Sequence, residues 1–81
     1  MMKIEWGKFI HSDQQILLGK PVLKGTRLSV EFILGLYAEN WTEEQILENY
    51  PTLTKDQLLA VFSFAKDCMG EEFLYDLPEA M

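Results

Sequence analysis

Three times along the chain a hydroxyl residue stands between two apolar ones, the first directly before it and the second four residues after it. The sets are Leu28-Ser29 with Ile33, Trp41-Thr42 with Ile46, and Leu53-Thr54 with Leu58. A hydroxyl at a helix N-cap accepts a hydrogen bond from a backbone N–H that has no partner inside the helix, and the flanking apolar pair staples the entering chain to the first turn. Gln45 and Gln57 follow Thr42 and Thr54 by three residues and complete capping boxes, whereas Phe32 takes that place after Ser29. The pattern predicts three helices and where each begins. Asn40 suits a left-handed stop for the first, Tyr50-Pro51 ends the second at about Asn49, and Gly70 ends the third.

Helical spacing puts Val30, Ile33, Leu34 and Tyr37 on one face of the first helix, widened by Phe32 and Leu36. The third helix carries Leu58, Leu59, Val61, Phe62, Ala65 and Met69 on a broad apolar face, and Cys68 at its end reads as a buried packing thiol. Ahead of the helices, Phe9-Ile10, Ile16-Leu17-Leu18 and Val22-Leu23 are too short to be helical and read as short strands or extended arms. Pro21 confines its strand to an edge or a start. A two-stranded ribbon is barely stable alone, so it must pack on the helices or pair with a second copy.

Between ribbon and helices runs Gly19-Lys20-Pro21-Val22-Leu23-Lys24-Gly25-Thr26-Arg27-Leu28-Ser29-Val30, which holds two of the five glycines and three of the seven basic side chains. It reads as a shaped loop: the glycines admit backbone angles other residues resist, and Pro21 fixes its own φ and restricts Lys20. The 81 residues allow one domain, small enough that dimerisation would add needed burial. We expect residues 1–70 to form a single trihelical domain with an N-terminal β arm. Residues 71–81 form an acidic, aromatic C-terminal tail. There Phe73, Leu74 and Leu77 would share a face over one helical turn before Pro78, which suits docking on the domain or burial in a partner.

Charge is divided unevenly. Residues 1–30 hold five basic and two acidic side chains, net +3, and residues 31–81 hold two basic and eleven acidic, net −9, which together give the chain's −6. A polyanion must therefore meet the N-terminal third, and a uniformly basic nucleic-acid coat is excluded. With 48% hydrophobic residues the chain is not a disordered one, and no run approaches the ~18–20 apolar residues of a membrane span. The first residues do not look like a secretory signal and one cysteine forms no intrachain disulfide, so a reducing cytoplasm is expected.

The sequence offers little catalytic chemistry. Gly19 and Gly25 stand one residue too far apart for a nucleotide-binding P-loop, and the lysine that should follow the second glycine is missing. His11 is the only histidine and reads as a polar residue at a strand end. Glu43, Glu44 and Glu48 read as solvated carboxylates near a helix start, with no histidine to support a metal. No catalytic residue, metal ligand or cofactor is assigned. Lys20, Lys24 and Arg27 are either ordinary surface charge or an anion contact. Arg27 is the sharper candidate, because a guanidinium beside a glycine turn binds a carboxylate, a phosphate or a guanine edge in bidentate fashion.

The loop, with Trp41-Thr42-Glu43-Glu44-Gln45-Ile46-Leu47 and Tyr50-Pro51-Thr52-Leu53-Thr54, resembles the bacterial domain-of-unknown-function family 433 from about Ile10 to Ala65. The resemblance implies a mainly α fold: a three-helix, homeodomain-like, helix-turn-helix core behind a short N-terminal β arm or hairpin. It also implies a non-catalytic antitoxin of a type II toxin–antitoxin module. Such a protein binds a PIN-like ribonuclease toxin and, as a homodimer, represses its own operon. In that reading Lys20, Lys24, Arg27, Lys55 and Gln57 face operator DNA or a partner, and Phe73, Leu74, Tyr75 and Leu77 face the toxin. Of the residues leading the third helix, only Gln57 suits base reading, and Asp56 opposes phosphate. A DNA-binding regulator without a toxin is the alternative, and a small enzyme using His11 is a remote one. The chain departs from the family in having Asn40 and Leu18 where glycine is usual. Asparagine can replace glycine in a left-handed cap, whereas leucine stiffens the loop before Lys20.

Overall fold

The computed structural model describes residues 4–70. After a short 3₁₀ turn at Trp6–Lys8 come strands β1 (Ile10–Asp13) and β2 (Ile16–Leu23), then helices α1 (Val30–Ala38), α2 (Glu43–Asn49) and α3 (Lys55–Met69). All three helices begin where the capping pattern puts them. Ser29 accepts the Phe32 N–H at 2.9 Å without a reciprocal bond, while Thr42 with Gln45 and Thr54 with Gln57 form closed capping boxes. The apolar partners Leu28, Trp41 and Leu53 lie in or against the core beside Ile33, Ile46 and Leu58. α1 ends in a Schellman motif: Asn40 sits at φ +71°, its N–H reaches Tyr37 O, and the Trp41 N–H reaches Leu36 O at 3.0 Å.

The strands pair antiparallel, with Ile10 opposite Leu23, His11 opposite Val22 and Ser12 opposite Pro21. They are no appended arm. Val22 and Leu23 are fully enclosed, and Ile10 and Leu23 belong to the same buried cluster as Val30, Ile33, Leu36, Ile46, Leu58 and Val61. The main chain ties the two parts together as well, through the Val22–Ser29 bridge and the Leu23 N–H bond to Leu28 O. The mainly α, homeodomain-like class is therefore corrected to a small α+β fold: three helices and an antiparallel hairpin share one core. A ribbon too small to bury its own apolar face is stable only as a layer on the helices.

Two further expectations change. On α3, Leu58, Ala60 and Val61 are buried, but Leu59, Phe62 and Met69 are exposed, because a core supplied by one ribbon and two short helices covers only a narrow stripe. Cys68 is exposed rather than a packed thiol. Trp6 closes the far side of α3, setting its ring edge-on to Phe64 at 4.7 Å and donating its indole N–H to Asp67 Oδ2 at 2.7 Å. Tyr37 packs against Phe62 with ring centroids 4.7 Å apart. Burial, with a smaller contribution from the Glu43 charge, pushes its phenol above the ordinary range. Among the described residues no helix is long and apolar enough to cross a membrane.

Candidate functional site

The site begins with an irregularity in the ribbon. Past Ser12–Pro21 the register jumps, so that Asp13 faces Ile16 and residues 17–20 bulge out of β2. Leu17, Leu18 and Gly19 all take left-handed backbone, at φ +51°, +56° and +85°. For an L-residue that conformation costs roughly 1–2 kcal/mol, so the two leucines store strain that burial does not offset. Leu18 is 85% exposed and Leu17 46%. Gly19 is required by its positive φ; a Cβ there would also lie 2.7 Å from Gln14 Oε1, the free end of an exposed side chain that can swing aside.

The second part is the turn after β2. Gly25 at φ +79° occupies the third position of a β-turn closed by the Thr26 N–H on Leu23 O, the place where a type II turn demands positive φ. Thr26 locks it: its hydroxyl donates to Leu23 O at 2.8 Å and accepts the Leu28 N–H at 3.0 Å. Arg27 is thus carried on a doubly bonded loop directly ahead of the Ser29 cap.

Bulge and turn face each other across an open groove of about 650 Å³, lined chiefly by Leu17, Leu18, Lys20, Arg27, Leu28 and Phe32. Of the cations named from sequence, the fold brings Lys20 and Arg27 together here. Lys20 is already engaged, since its Nζ lies 2.9 Å from Glu31 Oε1. That hydrogen bond and charge hold the Glu31 carboxyl below its ordinary range. Arg27 is exposed and makes no ion pair among the described residues. Lys24 lies at the exposed tip of the turn outside the groove, with its backbone N–H on Phe9 O. Lys55 and Gln57 sit apart, on the first turn of α3, where Gln57 Oε1 is occupied by the Thr54 N–H at 2.8 Å. Phe73, Leu74, Tyr75 and Leu77 lie outside the described residues.

Three groove residues are not singled out by sequence reasoning. Phe32 reads there as a widening of the core stripe, yet it is 42% exposed and stacks edge-on against Tyr50. Leu17 and Leu18 read as strand. A signal does exist: three consecutive apolar residues, Ile16-Leu17-Leu18, cannot all face inward on a ribbon whose side chains alternate, and Gly19 directly after them marks a bulge.

No group of His, Cys, Asp and Glu among the described residues is arranged to hold a metal ion. His11 is exposed on β1, and no buried polar side-chain atom among these residues lacks a hydrogen bond. The groove is chemically plain, apolar with a guanidinium that pairs with no carboxylate among the described residues, and suited to holding another molecule. No curated protein and no solved structure matches the chain significantly. The profile of one family, described as a protein of unknown function (DUF433), matches residues 10–65. That span includes the ribbon, the groove and all three helix starts, and the chain belongs to the DUF433 family.

Proposed function

We propose that this is a non-catalytic, antitoxin-like protein of a type II toxin–antitoxin module, acting in the cytoplasm by direct binding to a PIN-like ribonuclease. The observation that carries the reading is the pair Leu17 and Leu18, held outward in strained backbone across the groove from Arg27. Strain that does nothing for the core is tolerated where the surface it creates is used. Leu18 and Phe32 offer apolar area to desolvate, and the Arg27 guanidinium offers a fork for a carboxylate on the ribonuclease.

Binding to an operator, as a homodimer, is the secondary activity in this proposal, and Lys24 and Arg27 are its contacts. The toxin reading is the better supported. The groove that Arg27 borders is mostly apolar, Lys20 is neutralised by Glu31, and the net charge of residues 31–81 opposes phosphate. The test is co-expression with a ribonuclease encoded next to the gene, followed by affinity capture in mild salt. The wild-type chain should retain the ribonuclease, and a Leu18→Ser, Arg27→Ala double variant should retain at least tenfold less. Undiminished capture by the double variant, or no capture by the wild type, refutes the proposal.

A further inference from the structure

The side of α3 that turns away from the core has a period of its own. Lys55, Leu59, Phe62, Lys66 and Met69 are all exposed and follow one another at intervals of four, three, four and three residues. At 3.6 residues per turn that spacing confines them to an arc of roughly 80°, turned away from the buried Ala60 and Val61. It is the spacing with which one helix packs along another. Leu59 and Met69 are 55% and 53% exposed and Phe62 43%, and large apolar side chains gathered on one exposed stripe mark a contact surface.

We infer that two copies of the chain associate along this stripe, their α3 helices packed antiparallel across a two-fold axis near Phe62. Charge selects both the occupant and its direction. Residues 31–81 hold only two basic side chains, Lys55 and Lys66, and both lie on the stripe, while the exposed Asp56 stands on its flank. Parallel helices would set each lysine against its own counterpart and point their macrodipoles the same way. Antiparallel helices set Lys66 beside Leu59 of the second copy. There its stem covers apolar surface and its ammonium reaches Asp56 of that copy, within about one turn, and the two-fold axis repeats the pair. Phe62 is an anchor already in place, since its ring packs against Tyr37 at 4.7 Å and loses little freedom on association. A domain this small also gains most from added burial. The stripe shares no residue with the lining of the groove of Leu18 and Arg27. It supplies an interface for the proposed homodimer and does not depend on the ribonuclease, which its test does not use.

Sedimentation equilibrium on the purified full chain reads the association. The mass should rise with concentration from the 9.4 kDa of one chain to twice that value. Leu59→Glu should weaken association at least tenfold, and so should Lys66→Glu, which sets two carboxylates together. Adding Asp56→Lys to Lys66→Glu should return it to within threefold of the wild type. These positions are about 15 Å apart along one helix, so the rescue cannot arise inside a single chain. Far-UV circular dichroism should show the same helix content in every variant, because each altered side chain is exposed. A mass fixed at one chain at every concentration, or rising past two, overturns the inference. So does undiminished association of Leu59→Glu, and so does a charge swap that fails to restore the Lys66→Glu variant.

Discussion

Leu18→Gly separates the stability of this domain from the use of its surface. Leucine at φ +56° costs roughly 1–2 kcal/mol relative to an unstrained backbone, and glycine removes that cost. Against this, glycine gives the unfolded chain more freedom, worth about 0.4–1 kcal/mol. The side chain is 85% exposed, so its deletion forfeits only about a seventh of the ~2 kcal/mol that a fully buried leucine contributes, or ~0.3 kcal/mol. The balance is a gain of about 0.5 kcal/mol, or a melting temperature higher by ~2–4 °C for a domain this small. Leu18→Ala isolates the backbone term, since alanine loses the same side-chain contact and keeps most of the strain. Leu17→Gly should come out near zero or slightly destabilised, because Leu17 is only 46% exposed and loses about 1 kcal/mol of burial. Urea unfolding followed by tryptophan fluorescence and far-UV circular dichroism, at two protein concentrations, reads all three variants. A loss of 1 kcal/mol or more for Leu18→Gly would show that Leu18 is packed against something, and the strain argument would fail.

Other variants test the architecture. Thr54→Ala opens the capping box of α3 and should cost about 1 kcal/mol, lowering the melting temperature by several degrees; an unchanged midpoint would mean that the staple of Leu53 and Leu58 alone fixes that start. Gly19→Ala should destabilise by roughly 1–2 kcal/mol through its left-handed φ, while the exposed Gln14 side chain swings clear of the new Cβ at little cost. Adding Gln14→Ala should therefore restore little, and full restoration would remove the backbone argument. The Lys20–Glu31 pair gives a pH dependence of known sign. Because the folded carboxyl titrates below its unfolded value, its stabilisation is complete above the ordinary carboxylate range and is lost as pH falls through the lowered value. The urea midpoints of wild type and Glu31→Gln should therefore differ at pH 7 and converge towards pH 3; a gap that widens on acidification contradicts the assignment.

What could be read from the sequence was what the chain decides locally. Each helix start depends on an N-cap, a residue three further on and a staple four further on, all within one turn, and Ser29, Thr42 and Thr54 act as their spacing dictates. Asn40 is legible for the same reason, since the left-handed cap needs only its own φ and the carbonyls of the turn before it. The class of the fold was not local. Whether Ile10 and Leu23 form an arm or a wall depends on pairing across thirteen residues and on packing against Ile33 and Val61, which no short window contains. The indole of Trp6 and its acceptor Asp67 are 61 residues apart. Within the site, the loop glycines and Arg27 can be picked out by type, but the register jump that turns Leu17 and Leu18 outward arises from the partner strand. Cys68 and Phe32 depart from expectation for a shared reason: apolar spacing says which side of a helix is greasy, but not whether enough protein lies opposite to cover it.

Lys20, which borders the groove of Leu18 and Arg27, is paired with Glu31 on α1, and this bears on how that groove can be used. The pair fastens the end of the bulge to α1, while the Thr26 hydroxyl fastens the opposite wall, so Leu18 and Arg27 are presented on segments held independently at both sides. A surface shaped before its partner arrives loses little freedom on binding, which favours a small contact that would otherwise be too weak. Arg27 then stands as a charge without an ion-pair partner among the described residues, in a setting of leucine and phenylalanine. Recognition there rests on desolvating fixed apolar side chains, with a single guanidinium setting register. Added salt should then weaken a protein partner only modestly, whereas it would weaken a nucleic acid held through several phosphates steeply. The salt dependence of whatever binds this groove accordingly discriminates between the two classes of partner even before either molecule is identified.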